Sequence, residues 1–188
     1  MSGAEVKDFL ARIDEGNRGF AISLEHLGDE ARRSFADASV ARWLRLCRDL
    51  SQAGLGNSVT LSYVRHSPEI ARLVGEQAAF DLVESMKTIA YAAGRRAAQR
   101  LPGATAAAAR RLQDEAAVRA WLATVERLAP QIPESLALLL ERTDRILSRL
   151  DVGRFETWTI GGIRAAGGDP ARRQAFFSFA DPAAERMM

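Results

Sequence analysis

Two apolar stripes held apart by a pair of prolines constrain this chain more than any other feature. Trp121, Leu122, Val125 and Leu128 recur at helical spacing, so one face of a short helix is apolar. Pro130 and Pro133 end that helix, because proline lacks the amide donor and its ring clashes with the turn before it. Leu136, Leu139, Leu140, Thr143, Ile146, Leu147 and Leu150 then form a second stripe on one longer helix over 134–150. A helix cannot bury its own stripe, so the pair must pack against neighbours. An all-α protein is the expected outcome.

Composition agrees. With 47% hydrophobic and 27% charged residues the chain can build a core, and it falls outside the range of disordered sequences. Strong helix formers (alanine, leucine, arginine, glutamate) prevail over strand formers. No apolar run is long enough to span a bilayer, and Met1-Ser2-Gly3-Ala4-Glu5 lacks the layout of a signal peptide. The single Cys47 excludes an internal disulfide and fits a reducing compartment, so a cytoplasmic location without membrane attachment is expected. The net charge is only +2, and the arginine pairs at 32–33, 95–96, 110–111 and 172–173 are scattered rather than massed. Solvated helix faces with acidic partners account for such a distribution.

The chain divides at its turn residues. Val6, Phe9, Leu10 and Ile13 mark a first helix over 4–14. A second, 20–27, stops at Gly28, and Asp29 is placed to cap a third. A helix over 40–53 with Trp43, Leu44, Cys47 and Leu50 inward closes at Gly54–Asn57. Ser67-Pro68 has the form of a cap followed by a first-turn proline. Helices are expected over 78–93, ending at Gly94, and over 95–101, ending at Pro102-Gly103, with Thr105 opening an alanine-rich segment. Phe155–Ala166, a Gly167–Pro170 turn, a helix over 171–179 and an Asp181-Pro182 start complete a set of about ten helices.

Three features recur together. Asp29, Ser67, Thr105, Thr143 and Asp181, all capping types, each lie 38 residues from the next. Trp43, Leu82, Trp121 and Trp158 are spaced by 39, 39 and 37 residues, and each is followed by a turn about a dozen residues on. Their common register predicts helical repeats of about 38 residues, stacked as a HEAT/armadillo-like solenoid or curved bundle. The expected single domain over 1–188 comprises N-terminal helices (1–35), repeats over 36–74, 75–112 and 113–150, and an incomplete fourth repeat over 151–188.

Few residues have the setting that chemistry requires. His26 and His66 stand apart, without the spacing of metal ligands, and are read as surface or helix-capping residues. Cys47, one turn after Trp43, is expected to be buried and inert. Gly161-Gly162 and Gly167-Gly168 do not follow a strand, so they are not read as a phosphate loop, and the glycines inside the Trp158 helix, Gly161 and Gly162, are read as points of close helix approach. Asp114-Glu115 reads as helix-start charge. No catalytic, cofactor-binding or metal residue emerges, and a non-enzymatic protein is expected. Two surfaces remain. Arg95, Arg96, Arg100, Arg110 and Arg111 are candidates for a shared basic edge that meets an acidic partner or, alternatively, a nucleic-acid backbone. Phe176, Phe177 and Phe179 are candidates for an apolar C-terminal contact, through which the chain is expected to self-associate.

The succession Leu147-Ser-Arg-Leu-Asp151, Phe155-Glu-Thr-Trp158, Gly161-Gly162-Ile163, Gly168-Asp169-Pro170-Ala-Arg-Arg173 and Phe176-Phe177-Ser178-Phe179 resembles one bacterial family. Its members are the von Willebrand A-domain proteins encoded beside MoxR-type AAA+ ATPases, among them activators of nitric-oxide reductase and of Rubisco. Ser67-Pro68-Glu69-Ile-Ala-Arg-Leu and Gly94-Arg-Arg-Ala-Ala fit the helical N-terminal region of the same family, so the resemblance covers roughly residues 36–188. It implies an adaptor module that works with a MoxR-type ATPase in activating or maturing a target complex. The A domain's metal loop, Asp-x-Ser-x-Ser, does not occur here, so the resemblance carries over no metal residue. A nucleic-acid-binding helical-repeat protein using the arginine edge is the alternative.

Overall fold

Ala104 to Ala109 are six consecutive buried residues, which requires neighbours on every side of the helix that carries them. Alanine permits this, because its small side chain lets surrounding helices approach closely and it has the highest helix propensity. The computed structural model describes residue 31 and residues 33–188, and all the regular elements among them are helical. They are α1 (Asp37–Gln52), α2 (Asn57–Val74), α3 (Glu76–Leu112), α4 (Glu115–Leu128), α5 (Leu136–Glu141), α6 (Thr143–Leu147), α7 (Val152–Ala166), α8 (Pro170–Phe177) and α9 (Ala183–Arg186). A 3-10 turn, Ala129–Gln131, follows α4. No described helix is long and apolar enough to cross a membrane.

Helix α3 is the hub: α1, α2, α4, α5 and α6 all pack on it. It is kinked at Gly94, whose φ of 85° and ψ of 171° suit glycine and few other residues. Along its second half, Gln99, Gly103 and Arg110 meet Ser62, His66 and Glu69 of α2 in the same order. The two segments therefore run parallel. Arg119 pairs with Asp81 at 2.9 Å and ties α4 to the first half of α3. Glu76, in the first turn of α3, accepts the Ala36 amide at 2.7 Å and the Ser39 hydroxyl, which closes the start of α1 from a neighbouring element.

The predicted turns at 54–57, 94, 130–133 and 167–170 all interrupt helices. α1 buries Trp43, Leu44, Cys47 and Leu50 as expected, and Trp43, Trp121 and Trp158 are all buried. Asp114 caps α4 by accepting from the Ala117 amide at 2.7 Å, in line with its helix-start reading. The helices expected over 4–14 and 20–27, together with His26, Gly28 and Asp29, lie outside the described residues.

Three readings are corrected. Ser67-Pro68 does not open a helix but lies inside α2, where the Ser67 oxygen accepts the Trp43 indole N–H at 2.8 Å. Pro102-Gly103 does not end one either: α3 runs through them, and the Thr105 hydroxyl donates to the Leu101 carbonyl within the helix. The helix expected over 134–150 is split into α5 and α6 at Arg142, whose amide reaches back to the Leu139 and Leu140 carbonyls in a tighter turn. Thr143 braces that joint by donating to the Leu140 carbonyl at 2.9 Å. Of the four described rungs of the 38-residue ladder, only Asp181 accepts a helix-start amide, that of Ala183 at 2.8 Å.

Candidate functional site: a basic helix and a C-terminal groove

The five arginines expected to share an edge all lie on the second half of α3, but they serve different neighbours. Arg110 pairs with Glu69 of α2 at 3.0 Å. Arg111, one residue and so about 100° further round the helix, grips Asp144 of α6 with two bonds of 2.8 and 2.9 Å. Arg100 and Arg96 converge on one oxygen of Glu141, at 2.9 and 3.8 Å. Arg95 alone of the five makes no ion pair among the described residues. Four of the five arginines thus brace α3 against α2, α5 and α6. The bidentate bond from Arg111 holds the Asp144 carboxyl below its usual range.

The reading of the C-terminal phenylalanines is corrected. Phe176 and Phe177 are buried, with ring centroids 5.0 and 5.8 Å from that of Trp158. Phe179 is half-buried, stacked on Trp158 at 5.8 Å with the Arg145 guanidinium 4.4 Å from its ring. The aromatic run thus turns inward and covers Trp158, whose indole N–H donates to the Ala184 carbonyl at 2.9 Å. Gly162 makes this seating available, since a Cβ there would enter the Phe176 ring. The reading of these glycines as points of close approach holds.

An open groove of about 500 Å³ remains beside this cluster. Its floor is Leu150, Trp158, Ile160 and Met187, and Met187 stays 43% exposed. Arg154 and Arg164 flank it, and neither makes an ion pair among the described residues; Arg154 reaches only the Met188 carbonyl, at 3.4 Å. An apolar floor between two guanidiniums that have no Asp or Glu partner among the described residues can take an apolar side chain that has carboxylates on either side. Sequence reading missed this groove because its arginines lie ten positions apart on α7; Gly161, which leaves space against Met187, was the available signal.

His66 is not a helix cap. It lies mid-helix in α2, half-buried against Gly103, in a cleft of about 260 Å³ between α2 and α3. Burial, helped by nearby Arg65, lowers its pKa, so the imidazole is neutral at physiological pH. Cys47 is fully buried and its thiol pKa is pushed up by that burial, which keeps it protonated and without nucleophilic character. No group of three His, Cys, Asp or Glu residues that could hold a metal ion occurs among the described residues. Comparison with known protein families, curated proteins and solved structures finds no match for this chain.

Proposed function

We propose that this chain is a non-enzymatic, cytoplasmic adaptor module whose helices stack in units of about 38 residues, in the manner of HEAT and armadillo repeats. Its partners in this reading are a MoxR-type AAA+ ATPase and the target complex that the ATPase activates or matures. The observation that carries the proposal is the groove on α7, which fits an acidic, amphipathic segment of a partner protein. Helix breaks at Gly75, at Gln113–Asp114 and at Leu150–Asp151 fall where the 38-residue units would end, which supports the stacked arrangement. So does the recurrence of an indole that joins helices, Trp43 to Ser67 and Trp158 to Ala184.

The nucleic-acid reading loses ground, because four of the five arginines on which it relied are engaged in ion pairs within the protein. Self-association through the phenylalanines loses ground for the same kind of reason, as two of the three are enclosed. Calorimetric titration of the purified chain with a MoxR-type ATPase encoded beside it tests the proposal. Saturable binding is expected. Absence of such an ATPase from the gene neighbourhood, or of binding to it and to its target, would remove the adaptor reading.

A further inference from the structure

We propose that the cleft between α2 and the second half of α3 is a binding site for a small phosphomonoester. The inference is independent of the adaptor reading and rests on a different face of the molecule.

Ser58, Ser62, Arg65 and His66 lie on one face of α2, and Gln99, Arg100 and Gly103 lie on the facing side of α3. The parallel course of the two helices brings these groups together, and the bare Cα of Gly103 leaves the space into which the His66 ring fits. Two guanidiniums, those of Arg65 and Arg100, line the cleft. Glu141 answers only one of them, bonding Arg100 at 2.9 Å. Arg65 makes no ion pair among the described residues, and neither its guanidinium nor the His66 ring makes a hydrogen bond there. The neighbouring Arg110 and Glu69 satisfy each other and leave the balance unchanged.

One guanidinium, that of Arg65, is therefore in excess, and with an imidazole that can take up a proton beside it the cleft can answer both charges of a phosphomonoester dianion. Arginine suits it further, because its fork of N–H donors matches phosphate oxygens. The Ser58 hydroxyl makes no hydrogen bond among the described residues, whereas Ser62 donates to the Gln99 carbonyl at 2.7 Å. One free hydroxyl and an imidazole nitrogen remain as additional partners for a phosphate or the group that bears it. A volume of about 260 Å³ admits a phosphate with a few carbon atoms and excludes a nucleotide-sized ligand from full enclosure.

The same geometry predicts a coupling to pH. The charged groups facing His66 are Arg65 and Glu69 from α2 and Arg110 from α3, with Arg100 lining the same cleft. In the free protein, burial and the nearby arginines keep His66 neutral. A bound dianion favours the imidazolium, so binding takes up a proton at His66, which offsets the affinity lost as pH falls and the ligand phosphate, with a second pKa of about 6, takes up a proton of its own.

Calorimetric titration of the full chain with glycerol 3-phosphate tests this, with glycerol as the uncharged control and inorganic phosphate as the minimal anion. Saturable binding of both phosphates and none of glycerol is expected. Arg65→Gln should weaken it about tenfold or more, because a charge-assisted contact is lost. His66→Gln should make affinity fall more steeply below a pH of about 6.5, and Arg119→Gln, on α4 and paired with Asp81 on the first half of α3, should change neither affinity nor slope. No binding at millimolar phosphate overturns the proposal, and so does equal affinity in Arg65→Gln, an exposed position where folding is not at issue. Glycerol bound as tightly as its phosphate would show that the cleft does not recognise the anion.

Discussion

At the level of single residues, the contrast between Gly161 and Gly162 shows how this fold uses space. Both lie on α7, and alanine has the higher helix propensity, by about 1 kcal/mol. A Cβ at Gly161 would meet only the terminal methyl of Met187, at 2.7 Å, and that flexible side chain can swing aside. At Gly162 it would meet the ring of Phe176, which is buried and enclosed by Trp158 and Phe177. Gly162→Ala is therefore expected to destabilise by about 1–3 kcal/mol, the usual cost of overpacking, and Gly161→Ala to be neutral or stabilising. Urea denaturation of the two variants gives the comparison; equal effects would mean that the aromatic cluster is not packed as described. At this scale the burial of the tryptophans and of Cys47 was legible, because large apolar groups at helical spacing have only one favourable place to go. Ser67, Thr105 and Thr143 were misread as caps. Serine and threonine can also bond within a helix or accept from a neighbouring one, and sequence alone does not separate these roles.

At the level of elements, glycine proved a better marker of helix ends than proline. The predicted breaks at Gly54–Asn57, Gly94 and Gly167–Pro170 coincide with positive φ at Gly54, Gly56, Gly94 and Gly167. Pro68 and Pro102 lie within helices instead, buried where α2 and α3 pack together. A proline forfeits one ladder bond, and dense packing on both sides can offset that loss. Gly75, which separates α2 from α3, was overlooked, because the apolar pattern continues across it. Gly94 gives a clean test of backbone strain. Nothing lies within 4 Å of a Cβ built there, so any penalty for Gly94→Ala must come from conformation alone. A loss of about 1–3 kcal/mol is expected, and an unchanged midpoint in urea would show that the kink does not depend on glycine. The joint between α3 and α6 predicts a pH effect. The Asp144 carboxyl is held below its unfolded value by Arg111, so it adds stability at pH above the ordinary carboxylate range. That contribution is lost as pH falls through the lowered folded-state value. Because both groups are exposed, Asp144→Asn should cost little at neutral pH, and its difference from the parent chain should vanish in acid. A difference that persists or grows in acid would contradict the assignment.

At the level of the whole molecule, α3 turns a set of amphipathic helices into one body: its alanine face admits neighbours closely and its arginines tie them down. The helical class could be read from the apolar stripes, since their period fixes which faces must be covered. The α7 groove and the α2–α3 cleft could not. Whether an arginine braces a neighbour or stays free depends on which carboxylate the fold brings within reach, and Glu69, Glu141 and Asp144 are all distant in sequence from the residues they neutralise. For the same reason Arg154 and Arg164, on which the adaptor proposal rests, were not among those singled out. The adaptor proposal therefore stands or falls on the α7 groove. Binding of the MoxR-type ATPase and its target should be compared for the parent chain and an Arg154→Glu, Arg164→Glu double variant, with helix content and melting temperature followed in parallel. Since neither arginine has an ion-pair partner among the described residues, folding should be unaffected while affinity falls about tenfold or more. Undiminished binding by the folded double variant would contradict the account.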